Sequence, residues 1–141
     1  MYQKHPDMVR ELNQYRKAKA DYFNEVRNLE ELTTLLTRVT VPVNGSRVNS
    51  SPEPDKIGNR LDKLIEIQDR CIEKQKKAMA EMQKVLELID LLDNAMYRNI
   101  LMKRYIHGLK WEQIAVDLGH DFRYIFKLHN YALEDIKRKK T

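Results

Sequence analysis

The chain is expected to be all-α, with two long coiled-coil-like helices in an antiparallel hairpin followed by a three-helix helix-turn-helix domain. Three observations predict this. Gly and Pro number only four each in 141 residues, while Leu, Lys, Glu, Arg, Ala and Met are plentiful, a composition of helix formers with few breakers. Two long stretches, 7–38 and 57–92, repeat their large side chains at alternating steps of four and three, the period of an amphipathic helix or a coiled-coil seam. From Trp111 onward, small, apolar and glycine residues fall at the offsets of a helix-turn-helix.

The first helix starts at the Pro6-Asp7 signal and carries its seam on Met8, Leu12, Tyr15, Tyr22, Val26, Leu29 and Leu36, with Lys19 and Thr33 filling the remaining places. Periodicity then stops. Between Thr40 and Asn59 the composition turns to Val-Pro, Asn-Gly-Ser, Asn-Ser-Ser and Pro-Glu-Pro, so a loop is expected at about 40–58 that either returns the second helix along the first or binds something. The second helix, 57–92, has its seam at Leu61, Ile65, Gln68, Ile72, Gln75, Met79, Met82, Leu86 and Ile89. At 1.5 Å per residue it would run about 50 Å, longer than a small core can cover. The first helix supplies part of that cover, and a second copy of the chain is the candidate for the rest. Gln68 and Gln75, seven residues apart, are polar occupants of equivalent places, the kind that fixes register. The methionines at 79, 82, 96 and 102 read as flexible core filler.

A boundary is expected after 92. Asp93 or Asn94 caps a helix through Met96, Tyr97, Ile100, Leu101, Tyr105 and Ile106, which Gly108 ends. Trp111 to Leu118 forms the next helix, Gly119-His120 the turn, and Asp121 opens the last helix. With Trp111 as the first of about twenty places, Ala115 is the small residue where the two helices nearly touch and Gly119 is the turn glycine. Ile114, Leu118, Ile125 and Leu128 take the buried fourth, eighth, fifteenth and eighteenth places. Phe122, Arg123, Phe126, Lys127 and Asn130 then project from the other faces, with Asp121 at the N-cap. An Arg can bond guanine, an Asn adenine, and an aromatic ring can touch a thymine methyl. Lys110 and Lys127 suit phosphate contacts. Trp111 and Tyr124 complete the expected DNA-facing set, although Phe122 and Phe126 serve equally well as packing groups. Gln113 suits half of a capping box whose other half Lys110 cannot form, having no side-chain acceptor.

Charge agrees with a polyanionic partner for the last third. The 26 Lys and Arg exceed the 21 Asp and Glu by five, and the whole excess lies after Asp93. Lys137, Arg138, Lys139 and Lys140 complement the end of the last helix and would extend a backbone-binding surface. A lone Cys71 gives no intrachain disulfide and no multi-Cys zinc site, and the four histidines share no metal-like spacing. The start of the sequence lacks a signal-peptide pattern, and no run of about 18 apolar residues occurs. No catalytic residue, metal or cofactor is expected, and the cytoplasm of a bacterial host is the expected location.

The run from Leu92, Asp93, Asn94 and Tyr97-Arg98 through Leu101, Arg104-Tyr105, Gly108-Leu109, Trp111-Glu112-Gln113-Ile114-Ala115 and Leu118-Gly119 to Leu128-His129 and Ala132-Leu133 resembles the region 4 helix-turn-helix of sigma-70-type factors. Within that class it is similar to small phage and prophage transcriptional regulators of Gram-positive bacteria, including ArpU-like proteins. The resemblance covers the last third well. The upstream helix, Pro/Ser loop and second helix are similar to one branch of those phage proteins with less specificity. It implies regulation of phage or mobile-element transcription, promoter DNA read by the helix starting near Asp121, and RNA polymerase as a second partner. No segment for the downstream promoter element is recognisable, and Phe122, Tyr124 and Phe126 stand where sigma factors usually carry charged or polar residues. Two other readings stay open: a DNA-packaging adaptor of the small-terminase kind, and a helical protein-interaction module that binds no DNA.

Overall fold

The computed structural model describes residues 4–40 and 54–140. Its helices are α1 (Pro6–Leu12), α2 (Gln14–Thr40), α3 (Pro54–Asp90), α4 (Ala95–Leu101), α5 (Trp111–Leu118) and α6 (Phe122–Lys140), with a π-turn over Met102–Ile106 after α4. No strand occurs among the described residues, and the protein is all-α. Most of the loop expected at 40–58, namely 41–53, lies outside the described residues.

Local chemistry accounts for the element ends. Pro6 sits in the first turn of α1, where its missing N–H costs nothing. The helix expected to run unbroken from Asp7 is interrupted at Asn13, a residue whose amide competes with the backbone. Asn94 caps α4, its Oδ1 accepting from the N–H groups of Met96 (2.8 Å) and Tyr97 (3.2 Å). The end of that helix differs from the expected clean stop at Gly108. A π-turn intervenes, in which the His107 N–H reaches back to the Met102 carbonyl at 3.0 Å.

Gly119 ends α5 at φ 69° and ψ 31°, a left-handed conformation that lets the His120 N–H reach the Ala115 carbonyl at 3.1 Å. A Cβ at Gly119 would meet nothing within 4 Å, so Gly119→Ala tests backbone strain without a clash. The expected cost is about 1 kcal/mol, read as a lower Tm in thermal denaturation. An unchanged Tm would show that the turn relaxes.

The chain divides into two compact units, Met1–Ala18 with Lys77–Thr141, and Lys19–Lys76. Within α3 the division falls between Lys76 and Lys77. The reason lies in the core of the first unit, where Leu12, Val85, Leu88, Ile89 and Leu92 pack with Leu101, Tyr105, Ala132, Leu133 and Ile136. The end of α3 is therefore core for α4 and α6. A second cluster, Ile100, Ile114, Ala115, Ile125 and Leu128, sits beside the turn between α5 and α6.

In the second unit, α3 buries Ile67 and Cys71, and the Arg70 Nε lies 3.6 Å from a Glu25 carboxylate oxygen of α2. The expected coiled-coil seam of α3 is not formed there. Leu61, Ile65 and Ile72 are 47%, 55% and 49% exposed, and Gln68 and Gln75 are exposed with them. Met79, in the first unit, is also exposed, whereas Ile89 is buried. Two rows on α3 follow four-and-three steps, and the periodicity alone does not say which one is covered. On α2, Tyr22, Val26 and Leu29 are half-buried, while Thr33 faces solvent and bonds its hydroxyl to the Leu29 carbonyl at 2.7 Å.

Candidate nucleic-acid interface

The candidate interface is built on α5 and α6, joined by the tight turn at Gly119. Lys110 precedes α5 and donates its backbone N–H to the Gln113 Oε1 at 2.9 Å, leaving its ammonium group free of any capping duty. At α6 the cap is Asp121, whose Oδ2 accepts from the Arg123 N–H at 3.2 Å and whose carbonyl accepts from the Ile125 N–H at 3.0 Å. Ile114 and Ile125 are fully buried, Ala115 and Leu128 nearly so, and Leu118 packs half-buried on the same cluster. These contacts fix the rotation of α6 about its own axis.

That rotation leaves Arg123, Tyr124 and Lys127 exposed, and their three- and four-residue spacing puts them on one face. The face continues into residues the sequence pattern did not single out. The His120 ring lies 5.0 Å from the Tyr124 ring, and the Lys127 Nζ lies 5.8 Å from the centre of the Tyr131 ring. Lys110 and Asp121 are exposed as well.

Four members of the expected DNA-facing set turn inward. Asn130 is only 9% exposed, and its Oδ1 accepts from the backbone N–H of Lys4 at 3.4 Å. The covering segment is remote in sequence, so the pattern of α6 carried no sign of it. Trp111 is half-buried, its ring 5.3 Å from Phe126 and 4.7 Å from His129, with the Arg104 guanidinium 4.7 Å above it. Phe126 is thereby occupied in packing. Phe122 packs against the cluster around Ile114.

Beneath this surface lies a polar pair that the sequence pattern did not connect. His129 is fully buried, and its Nε2 lies 2.6 Å from the Tyr105 hydroxyl. Burial, reinforced by the nearby Arg104 charge, pushes the His129 pKa down to about 4. Burial likewise pushes the Tyr105 hydroxyl well above its usual range. Both groups are neutral at pH 7, and the hydroxyl and the Nε2 can share one hydrogen bond. The π-turn positions both halves of the surroundings, since Tyr105 enters the core while Arg104 bonds the Leu109 carbonyl at 3.1 Å and stacks on Trp111.

The basic end of α6 differs from its expected role. Lys139 donates to the Leu91 carbonyl and to an Asp93 carboxylate oxygen, both at 2.8 Å. Its charge holds the Asp93 carboxyl below the usual range, first through the hydrogen bond and then through Coulomb attraction. Lys140 lies 3.7 Å from Glu11, and Arg138 pairs with Asp135. Lys139 and Lys140 tie the helix end to other segments, while the Arg138 pair lies within α6. Lys103 similarly pairs with Asp117 at 3.5 Å. By contrast, Lys110, Arg123 and Lys127 pair with no carboxylate among the described residues.

Across α6 the chemistry on offer is a guanidinium, an ammonium and a phenol, with a further ammonium at the start of α5. Such groups can hold phosphate oxygens and reach acceptors on base edges. No protein-family model, curated protein or solved structure matches this chain. No helix among the described residues is long and apolar enough to cross a membrane.

Proposed function

We propose that the protein is a sequence-specific, double-stranded-DNA-binding transcriptional regulator of a phage or mobile element, reading promoter DNA with α6. On this reading it performs no catalysis and needs no cofactor, works in the cytoplasm of a bacterial host, and has RNA polymerase as a second partner. The observation that supports it best is selective pairing of charge. Cations at the end of α6 are tied to carboxylates and a helix-end carbonyl, while Arg123, Lys127 and Lys110 remain available on the exposed sides of α5 and α6. Arg123 is assigned to base edges, and Lys127 and Lys110 to phosphates.

A titration of the protein against mixed-sequence duplex DNA at several salt concentrations tests this. Two phosphate-neutralising cations, Lys127 and Lys110, predict a slope of about −1.8 in log affinity against log salt for each bound protomer. Affinity should then fall roughly twelvefold between about 50 and 200 mM salt. Absence of binding at the lower concentration, or binding indifferent to salt, would overturn the proposal.

A further inference from the structure

We infer that the exposed row Leu61, Ile65, Gln68, Ile72 and Gln75 on α3 is the contact surface for a second copy of this chain, with the two α3 helices parallel and in register. The row repeats in steps of four, three, four and three, the spacing that keeps one side of a helix against another helix along its length. Its apolar members are about half exposed. The neighbouring row of α3 is already covered at Ile67 and Cys71, so the two rows serve different purposes.

The two glutamines identify the occupant. In a parallel, in-register pair, Gln68 meets Gln68 and Gln75 meets Gln75, amide donor against amide acceptor, while Ile65 and Ile72 meet their own counterparts. β-Branched residues at those alternate places favour two strands. An antiparallel pair sets each Gln against an apolar residue and leaves its amide buried without a partner. A slip of seven residues strands one Gln in the same way. Asp62, Asp69 and Lys76 flank the row, are exposed, and would favour the antiparallel arrangement by charge. Exposed ion pairs contribute less than unmet buried amides cost, so the glutamines decide.

The mass of the full chain without DNA tests the surface, and this separates it from the reading of α6. At micromolar concentration the expected result is a dimer of 16.9 kDa chains. The double variant Ile65→Lys, Ile72→Lys should be monomeric, with its helix content checked by circular dichroism. Orientation is read by disulfide formation in Gln68→Cys and Gln75→Cys chains carrying Cys71→Ala. Each should link efficiently to itself, and the same variants retaining Cys71 guard against a folding effect of that change. A monomeric wild-type chain, a dimer untouched by the lysines, or cysteines at 68 and 75 that fail to self-link would overturn the inference.

Discussion

Replacing Arg123 and Lys127 together by Glu is expected to lower DNA affinity on the order of a hundredfold or more at physiological salt, while leaving the protein folded. Both side chains are exposed on one face of α6 and neither has a carboxylate partner among the described residues. Their removal therefore breaks no ion pair. Surface changes of this kind usually alter stability by less than about 0.5 kcal/mol. On the proposed function the effect on DNA is large because each contact would be lost and a negative charge set against the phosphates, and loss of an Arg contact alone is worth about 1–3 kcal/mol. Lys140→Gln is the informative comparison. Lys140 lies 3.7 Å from Glu11, so its change should affect DNA affinity much less. Binding titrations of the three proteins check this, and equal affinities for wild type and the double Glu variant would remove α6 from the account.

Acid is expected to destabilise the unit that contains α4 to α6 by about 3 kcal/mol between pH 6.5 and 4 through His129 alone. The sign follows from the direction of the shift. In the unfolded chain the imidazole titrates near 6.5, whereas in the folded protein it stays neutral until about pH 4. Between those values the unfolded state holds the extra proton, so stability rises with pH. The contribution is fully present above the unfolded value, declines as pH falls through this window, and has no further slope below about 4. Denaturant midpoints against pH measure it, and Trp111, the single tryptophan, is a natural reporter because its ring lies 4.7 Å from His129. His129→Gln should flatten the profile in this window. A profile that keeps its slope in that variant would place the acid sensitivity elsewhere.

The parts of the fold governed by local chemistry were legible in the sequence. Asn94 as a cap, Gly119 as a left-handed turn, and the apolar offsets from Ile114 to Leu128 each involve neighbours a few residues apart. Contacts that join distant segments were not legible. Asn130 has the composition of a base reader, yet the Lys4 backbone covers it. Lys139 and Lys140 have the look of a free basic tail, yet Leu91, Asp93 and Glu11 hold them. His129 and Tyr105 each sit at an apolar position of their own helix, and only packing shows that they face one another. Over 61–79 of α3 the expected row is the exposed one, because the covered row there contains small residues such as Cys71 and Ala78 while the exposed row carries larger ones; further along, Ile89 of the expected row is buried. Size invites a core assignment, but cover depends on the neighbour. The π-turn at Met102–Ile106 involves no residue type that announces it.

On the proposed function, α6 reads DNA sequence. The most direct measurement of this is selection of duplexes from a random-sequence pool by the purified full chain at near-physiological salt, followed by sequencing of what is retained. Enrichment of a shared motif is expected, with Arg123→Ala relaxing preference at one base and Lys127→Ala weakening all sequences alike. A retained pool indistinguishable from the input, obtained with folded protein, would contradict that reading.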